Sequence, residues 1–307
     1  MGQPDGHARA NRGHLDEPRR HSPVHPFAAL QRALPQHGLS RCLGALAASQ
    51  NNTVKRLLID AFMSAYRIDM TEFVGDSARD FASFNDFFTR PLVPGSRPMP
   101  GDARAVASPV DGTVSQAGPI SAGHLVQAKG REYSVAEFLG GADFAGGLDS
   151  GSFATIYLAP NNYHRVHAPC AGELVETVEI PGRLFSVNGI TERHVSRLFV
   201  RNERLVLRIA AGFGEYALVL VGAMIVASIR PTWRGPVSPY RRRRSQNPVG
   251  VAFARGQEVG AFLLGSTVVV LFPDGAVSLD ERLRPGQQVR VGVRIGTTGS
   301  PPEADEP

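Results

Sequence analysis

The stretch "AFLLGSTVVVLF", residues 261–272, is apolar throughout except at Gly265-Ser266-Thr267. β-Branched Thr267, Val268, Val269 and Val270 follow the break, so the run reads as a buried β-strand interrupted by a glycine and a serine. A glycine inside a strand marks a bulge or a close backbone approach. A serine hydroxyl in such a place needs a hydrogen-bond partner or costs stability.

Outward from this strand the pattern repeats. Short apolar runs at 104–107, 112–114, 153–158, 172–180, 204–209, 217–229 and 263–272 are separated by turns, a spacing that argues a β-rich catalytic domain of sandwich or barrel type. The longest of them, 217–229, is too short for a spanning helix and fits a core strand. Upstream, from Pro26 to about Phe88, the period is helical. Val54, Leu57, Leu58, Ala61, Phe62 and Ala65 form one apolar stripe, and Phe27, Leu30 and Leu34 share a face with Arg32 and Arg41 nearby. Such helices either pack on the domain or lie in a bilayer interface. The fold class expected is α+β: N-terminal amphipathic helices on a largely antiparallel β catalytic domain. The expected divisions are a disordered extension over 1–25, helices over 26–95, the β-rich domain over 96–297 and a disordered tail over 298–307.

Composition narrows the classes. The formal charge of +5 comes from arginine, since Lys55 and Lys129 are the only lysines. That balance suits anionic lipid, nucleic acid or an acidic substrate and does not choose among them. Cys42 and Cys170 offer neither a disulfide framework nor metal-ligand spacing, so a reducing compartment and no metal are expected. The N-terminus lacks the apolar core of a secretory signal.

Three stretches could carry chemistry. In "SPVDGTV", 108–114, Asp111-Gly112 has the composition of a hairpin turn. In "YLAPNNYHRVHAP", 157–169, His164 and His167 lie three apart, as a functional or a structural pair. The third stretch holds Ser266. Asp, His and Ser together invite a hydrolase triad, but "LLGSTVV" is not the nucleophile elbow, because Leu264 and Val268 replace its glycines. "GFGEYA", 212–217, precedes a strand and reads as a turn, not a dinucleotide fingerprint. Arg241–Arg244 reads as a solvated loop before a phosphate grip.

With these stretches in order, the sequence resembles the phosphatidylserine decarboxylase proenzyme family in its bacterial membrane-associated form. The resemblance runs through "FNDFFTRPL" (84–92), "SPVDGTVSQ" (108–116), "QAKGREYS" (127–134), "YHRVHAPCAGEL" (163–174), "GRLFSVN" (182–188), "LFVRNERLVL" (198–207), "GAMIVASI" (222–229) and "RGQEVGAFLLGSTVVVLF" (255–272). It implies that the chain cuts itself between Gly265 and Ser266, leaving Ser266 as a pyruvoyl group. It implies a relay in which His167 takes the Ser266 proton and Asp111 orients the imidazole. The pyruvoyl ketone would then be the cofactor, forming a Schiff base with phosphatidylserine and accepting the electron pair released with carbon dioxide. His164 would serve that second reaction by positioning the carboxylate or delivering the proton.

The partners implied are membrane phospholipid and the two cut chains held together, with a homodimer left open and no nucleic acid. The location implied is the cytoplasmic face of the bacterial inner membrane. Many relatives carry an acid just before the Tyr-His pair, where this chain has Asn161-Asn162, and 237–251 matches poorly. The alternatives are a pyruvoyl decarboxylase of another amino-phospholipid or a free amino acid, a non-catalytic lipid-binding protein and a soluble hydrolase.

Overall fold

Three neighbouring strands that change sheets at one level organise the molecule. The computed structural model describes residues 26, 31, 35–128, 131–223, 228–236, 240, 242–263 and 266–299. Gly265, the expected extension 1–25 and residues 300–307 of the expected tail lie outside these.

The main sheet is antiparallel. Its order is β11 (Arg244–Gln246), β7 (Gly172–Ile180), β8 (Arg204–Ala211), β9 (Gly214–Gly222), β14 (Ser266–Phe272), β5 (Ser152–Leu158), β2 (Gly112–Pro119) and β16 (Gln288–Val289), with β12 (Ala252–Phe253) also on β7. A second sheet runs β10 (Ile229–Pro231), β13 (Glu258–Phe262), β6 (Arg165–His167). A third runs β1 (Ala105–Ala107), β17 (Arg294–Thr298), β15 (Val277–Leu279), and β3 (His124–Ala128) pairs with β4 (Arg131–Ser134).

Both faces of β14 are buried: Val268, Val270 and Phe272 enter one core, and Val269 and Leu271 the other. Side chains alternate across a strand, so one covered on both faces has no polar positions to show, which is why 268–272 is continuously apolar. The hairpin β3–β4 and two short helices, α4 (Val135–Leu139) and α6 (Leu198–Arg201), supply residues of the second core, and α5 (Gly189–His194) lies between its members Val187 and Val195.

The stretch 261–272 is therefore not one interrupted strand. It is the end of β13 and all of β14, in different sheets. The run 217–229 divides likewise into β9 and β10, and the chain steps from β5 to β6 between Leu158 and Arg165. The main sheet holds β9-β14-β5 as neighbours and the second holds β10-β13-β6, so three adjacent chains cross together. The step from β13 to β14 is the middle one.

The expected tail boundary moves, because β17 reaches Thr298, whose N–H donates to the Arg104 carbonyl at 2.9 Å.

Helices α1 (Gln36–Ala47) and α2 (Asn52–Tyr66) precede a short α3 (Phe84–Phe88). Asn51 caps α2, accepting from Thr53 and Val54 N–H. Ala47, Ile59, Phe81, Phe84, Phe87 and Phe88 form a small core of their own, packed by Leu58, Phe62 and Met63. The apolar stripe expected on α2 is split by this packing: Leu58 and Phe62 lie on the core while Leu57 is 70% exposed and Ala61 and Ala65 face outward, and Ile59 and Lys55, outside the stripe, are buried. On α1 the polarity is reversed. Gln36 and Ser40 are buried while Leu39 and Leu46 are exposed. Gln36 is held inward by hydrogen bonds to the Gln31 carbonyl and the Leu184 N–H.

Candidate active site

The turn 159–164 between β5 and β6 carries the first histidine. Asn162 Oδ1 accepts from Ala159 N–H at 2.7 Å and closes the turn, so the amide that replaces the acid of many relatives has a backbone task here. His164 is fully buried and its Nδ1–H donates to the Asn162 carbonyl at 2.8 Å. The Phe88 ring lies 4.0 Å away, and among the described residues Nε2 has no partner. Burial, followed by the Arg90 charge, pulls the imidazole down to about 3, so it is neutral with its lone pair on Nε2. The His164 carbonyl accepts from Phe262 N–H at 2.9 Å, which fixes this turn against the end of β13.

His167, half-buried at the end of β6, donates from Nδ1 to the Gly256 carbonyl at 2.8 Å. Its Nε2 accepts from the Tyr163 hydroxyl at 3.0 Å, and the two rings stack at 5.6 Å. Burial lowers the His167 pKa against the opposing pull of Gly256, Glu258 and Asp111. A neutral ring with its basic nitrogen already in a hydrogen bond can accept a proton without reorganising its far side.

Asp111 stands near His167 but is not hydrogen-bonded to it. Its oxygens accept from Arg97 Nε at 3.2 Å, Arg97 Nη2 at 2.6 Å and the Val291 N–H at 2.8 Å. Arg97 also binds Glu72, which in turn binds Arg290. The Gly256 carbonyl thus takes the orienting place on the imidazole that the resemblance gives Asp111, because the Arg97 fork claims both carboxylate oxygens. The Asp111 loop is still fastened to the site: His167 N–H donates to the Pro109 carbonyl at 2.8 Å. Nor is Asp111-Gly112 a hairpin turn. A Cβ on Gly112 would meet the Tyr157 carbonyl at 2.4 Å, so the glycine lets β5 pass close.

Ser266 opens β14, where its backbone lies in register with Leu158 on β5 and Gly222 on β9. Each of these three residues is at the level where its chain leaves the main sheet. The structure thus brings together the start of β14, the His164 turn and β6 with His167. It adds residues that the sequence reading left without a role: Tyr163 and Gly256 on His167, Arg97 on Asp111, and Arg90 beside His164. Tyr163, Arg90 and Gly256 lay inside quoted stretches. No local pattern marks Arg97.

Two discounted stretches also resolve. Gly212-Phe213 is the turn of the β8–β9 hairpin, as expected. Arg241 lies outside the described residues, but Arg244 belongs to β11, and Arg243 donates to the Gly140 carbonyl and sits 5.1 Å over the Phe144 ring. This short basic run is therefore partly structural.

Taken together, the fold and site define a β-sheet enzyme with two buried or half-buried histidines at a sheet junction. The family described as phosphatidylserine decarboxylase matches residues 84–297, and one described as PSD matches residues 26–67. The phosphatidylserine decarboxylase proenzyme of Saccharophagus degradans is 44% identical over 274 residues, 88% of this chain and 96% of the relative. Proteins of the same description from Hahella chejuensis and Acidovorax ebreus are 45% and 47% identical, covering 88% and 87% of this chain and 93% and 94% of their own. The chain belongs to the phosphatidylserine decarboxylase family.

Proposed function

We propose that this chain is a proenzyme that cuts itself between Gly265 and Ser266 and then converts phosphatidylserine to phosphatidylethanolamine and carbon dioxide. The observation that carries the proposal is the junction itself. The bond to be cut lies where the chain enters β14, and both histidines sit on the adjacent crossing.

In the first reaction the Ser266 hydroxyl, its proton taken by His167, attacks the Gly265 carbonyl and the peptide becomes an ester. Elimination frees the Gly265 carboxylate and leaves dehydroalanine, which water converts to ammonia and a pyruvoyl group. Tyr163 holds His167 Nε2 in the meantime and hands the position over, while Asp111 favours the imidazolium through space. The pyruvoyl group supplies a ketone that takes the substrate amine and receives the electron pair left as carbon dioxide departs. The buried Nε2 of His164, unpartnered among the described residues, fits a role beside that ketone, positioning the substrate or relaying the proton that carbon takes up.

The shorter chain, 266–307, keeps the central strand β14 between β9 and β5, so the cut products remain associated.

The helical region, 26–95, is the membrane-association part. Leu39, Leu46, Leu57 and Tyr66 are exposed beside Arg41, Arg56 and Arg67, an apolar and basic surface of the kind that lies in a lipid interface. Lys55 is not among these cations, since it is buried and donates to the Phe81 carbonyl at 2.6 Å. No helix among the described residues is long and apolar enough to cross a membrane. The enzyme is peripheral, on the cytoplasmic face of the bacterial inner membrane.

Intact mass spectrometry of the purified protein tests the reading. Two chains are expected, the smaller beginning with a pyruvoyl group, and a single uncut chain that is nonetheless active would overturn it.

A further inference from the structure

Arg90 is wholly buried, yet among the described residues no carboxylate meets it. Its guanidinium lies 4.1 Å over the Phe73 ring and 5.1 Å over Phe87. Nη1 and Nη2 reach the carbonyls of Phe87 and Asn161, both at the long distance of 3.4 Å, and Nε has no partner among the described residues. Neighbouring charges offer no compensation. Arg165 is paired with Glu258 at 2.8 Å, and Arg230 approaches the Thr89 hydroxyl at 3.5 Å. Burial lowers the Arg90 pKa to about 10, which leaves it charged at neutral pH. A buried charge without a counter-ion is strongly destabilising, so a fold that keeps one needs a reason.

The reason is in its position. Asn161, which accepts from Arg90, precedes Asn162, which accepts from His164, so two polar groups with free hydrogen-bonding capacity hang on one turn. Phe73, Asn161 and Tyr163 also bound a cavity of about 310 Å³, which therefore adjoins the ring and the carbonyl that cover Arg90. We propose that Arg90 is the oxyanion subsite for the substrate head group, taking its carboxylate or its phosphodiester. The planar guanidinium fork matches either anion bidentately, and a shift of the Phe73 ring opens it to the cavity. The inference rests on the decarboxylation reading above.

The test compares processed wild type with R90M and R90K on phosphatidylserine dispersed in detergent. R90M should be cut normally and show a KM raised about tenfold or more, the scale of a lost charge-assisted pair. It should also melt above wild type, because methionine replaces an uncompensated buried charge. R90K, which keeps the charge and loses the fork, should fall between the two in KM. Product inhibition by phosphatidylethanolamine separates the two sources. It weakens in R90M if the phosphodiester is held and is unchanged if the carboxylate is. R90M with wild-type KM, or one that stays uncut or melts below wild type, shows that Arg90 braces the fold and overturns the proposal. If wild type is never cut and releases no carbon dioxide, the catalytic reading fails by itself. Inorganic phosphate is then the probe: it should raise the melting temperature of wild type and not of R90M, and equal shifts would sink the subsite.

Discussion

The sheet junction and the N-terminal helices break the usual rule of burial in opposite directions. At the junction, polar atoms that ought to be satisfied are buried without partners among the described residues: His164 Nε2, Arg90 Nε and the Thr267 hydroxyl. On α1 and α2, apolar side chains that ought to be covered are exposed, and Gln36, Ser40 and Lys55 are inside instead. Each departure costs folding free energy, and the function proposed above would remove each by a different second component: a head group and a reacting carbonyl at the junction, a hydrocarbon surface at the helices. On that proposal, the difference says where to test for each half of the substrate, the polar end at the β9-β14-β5 crossing and the acyl chains along α1 and α2.

The sharpest way to break this comparison is at Ser266. S266A should remain one chain on a denaturing gel and release no carbon dioxide, while still binding vesicles as wild type does. Vesicle binding lost together with cleavage would mean the two regions are not separable. Next in size are the histidines. H167A should leave the precursor uncut or slow its cleavage by ~10²–10⁴-fold, the ordinary worth of general-base assistance. H164A should be cut, form the pyruvoyl group and then turn over poorly. The reverse pattern on the gel and in the carbon dioxide assay would exchange their roles. A smaller effect is expected at Tyr163. Y163F removes the hydroxyl from His167 Nε2 but leaves the Gly256 bond that orients the ring, so cleavage should slow by roughly tenfold, one hydrogen bond's worth. A Y163F precursor as inert as H167A would make Tyr163 part of the proton path.

How much of this was legible depends on how local the cause is. The strand 268–272 could be read because burial on both faces leaves an unbroken β-branched run. The change of sheet from β13 to β14 could not, since both halves are equally apolar and which sheet a strand joins is settled by distant partners. The hairpin turn at Gly212-Phe213 is local and was legible. His164, His167 and Ser266 were singled out by residue type and by resemblance, but their hydrogen bonds were not foreseen. Asp111 shows why: Arg97 sits in a Pro/Gly-rich connection, and only the folded chain brings its fork onto the carboxylate. On α2 the period was right and the facing was not. Val54, Leu57, Leu58, Ala61, Phe62 and Ala65 make a stripe wide enough to have two edges, and periodicity does not say which edge meets the phenylalanine core.

That two-edged stripe yields the smallest and most graded prediction. Leu57 is 70% exposed and Leu39 and Leu46 are 37% and 43% exposed, so polar replacements there remove little packing from the folded chain. Full burial of a leucine side chain contributes about 1.5–3 kcal/mol, and an interface covers only part of it. Each of L39S, L46S and L57S should therefore weaken binding to anionic vesicles by roughly tenfold or less, with the triple change adding most of the single losses. Melting temperature and self-cleavage should stay at wild-type values, because none of the three touches the core built on Ile59 and Phe87. Activity on detergent-dispersed substrate should also hold, while activity on vesicles falls with binding. I59S serves as the contrast: it lies on the buried side of the helix, so it should lower the melting temperature. If L57S destabilised the fold as I59S does and left vesicle binding intact, the outward edge of α2 would be packing surface, and the bilayer would have to be met elsewhere.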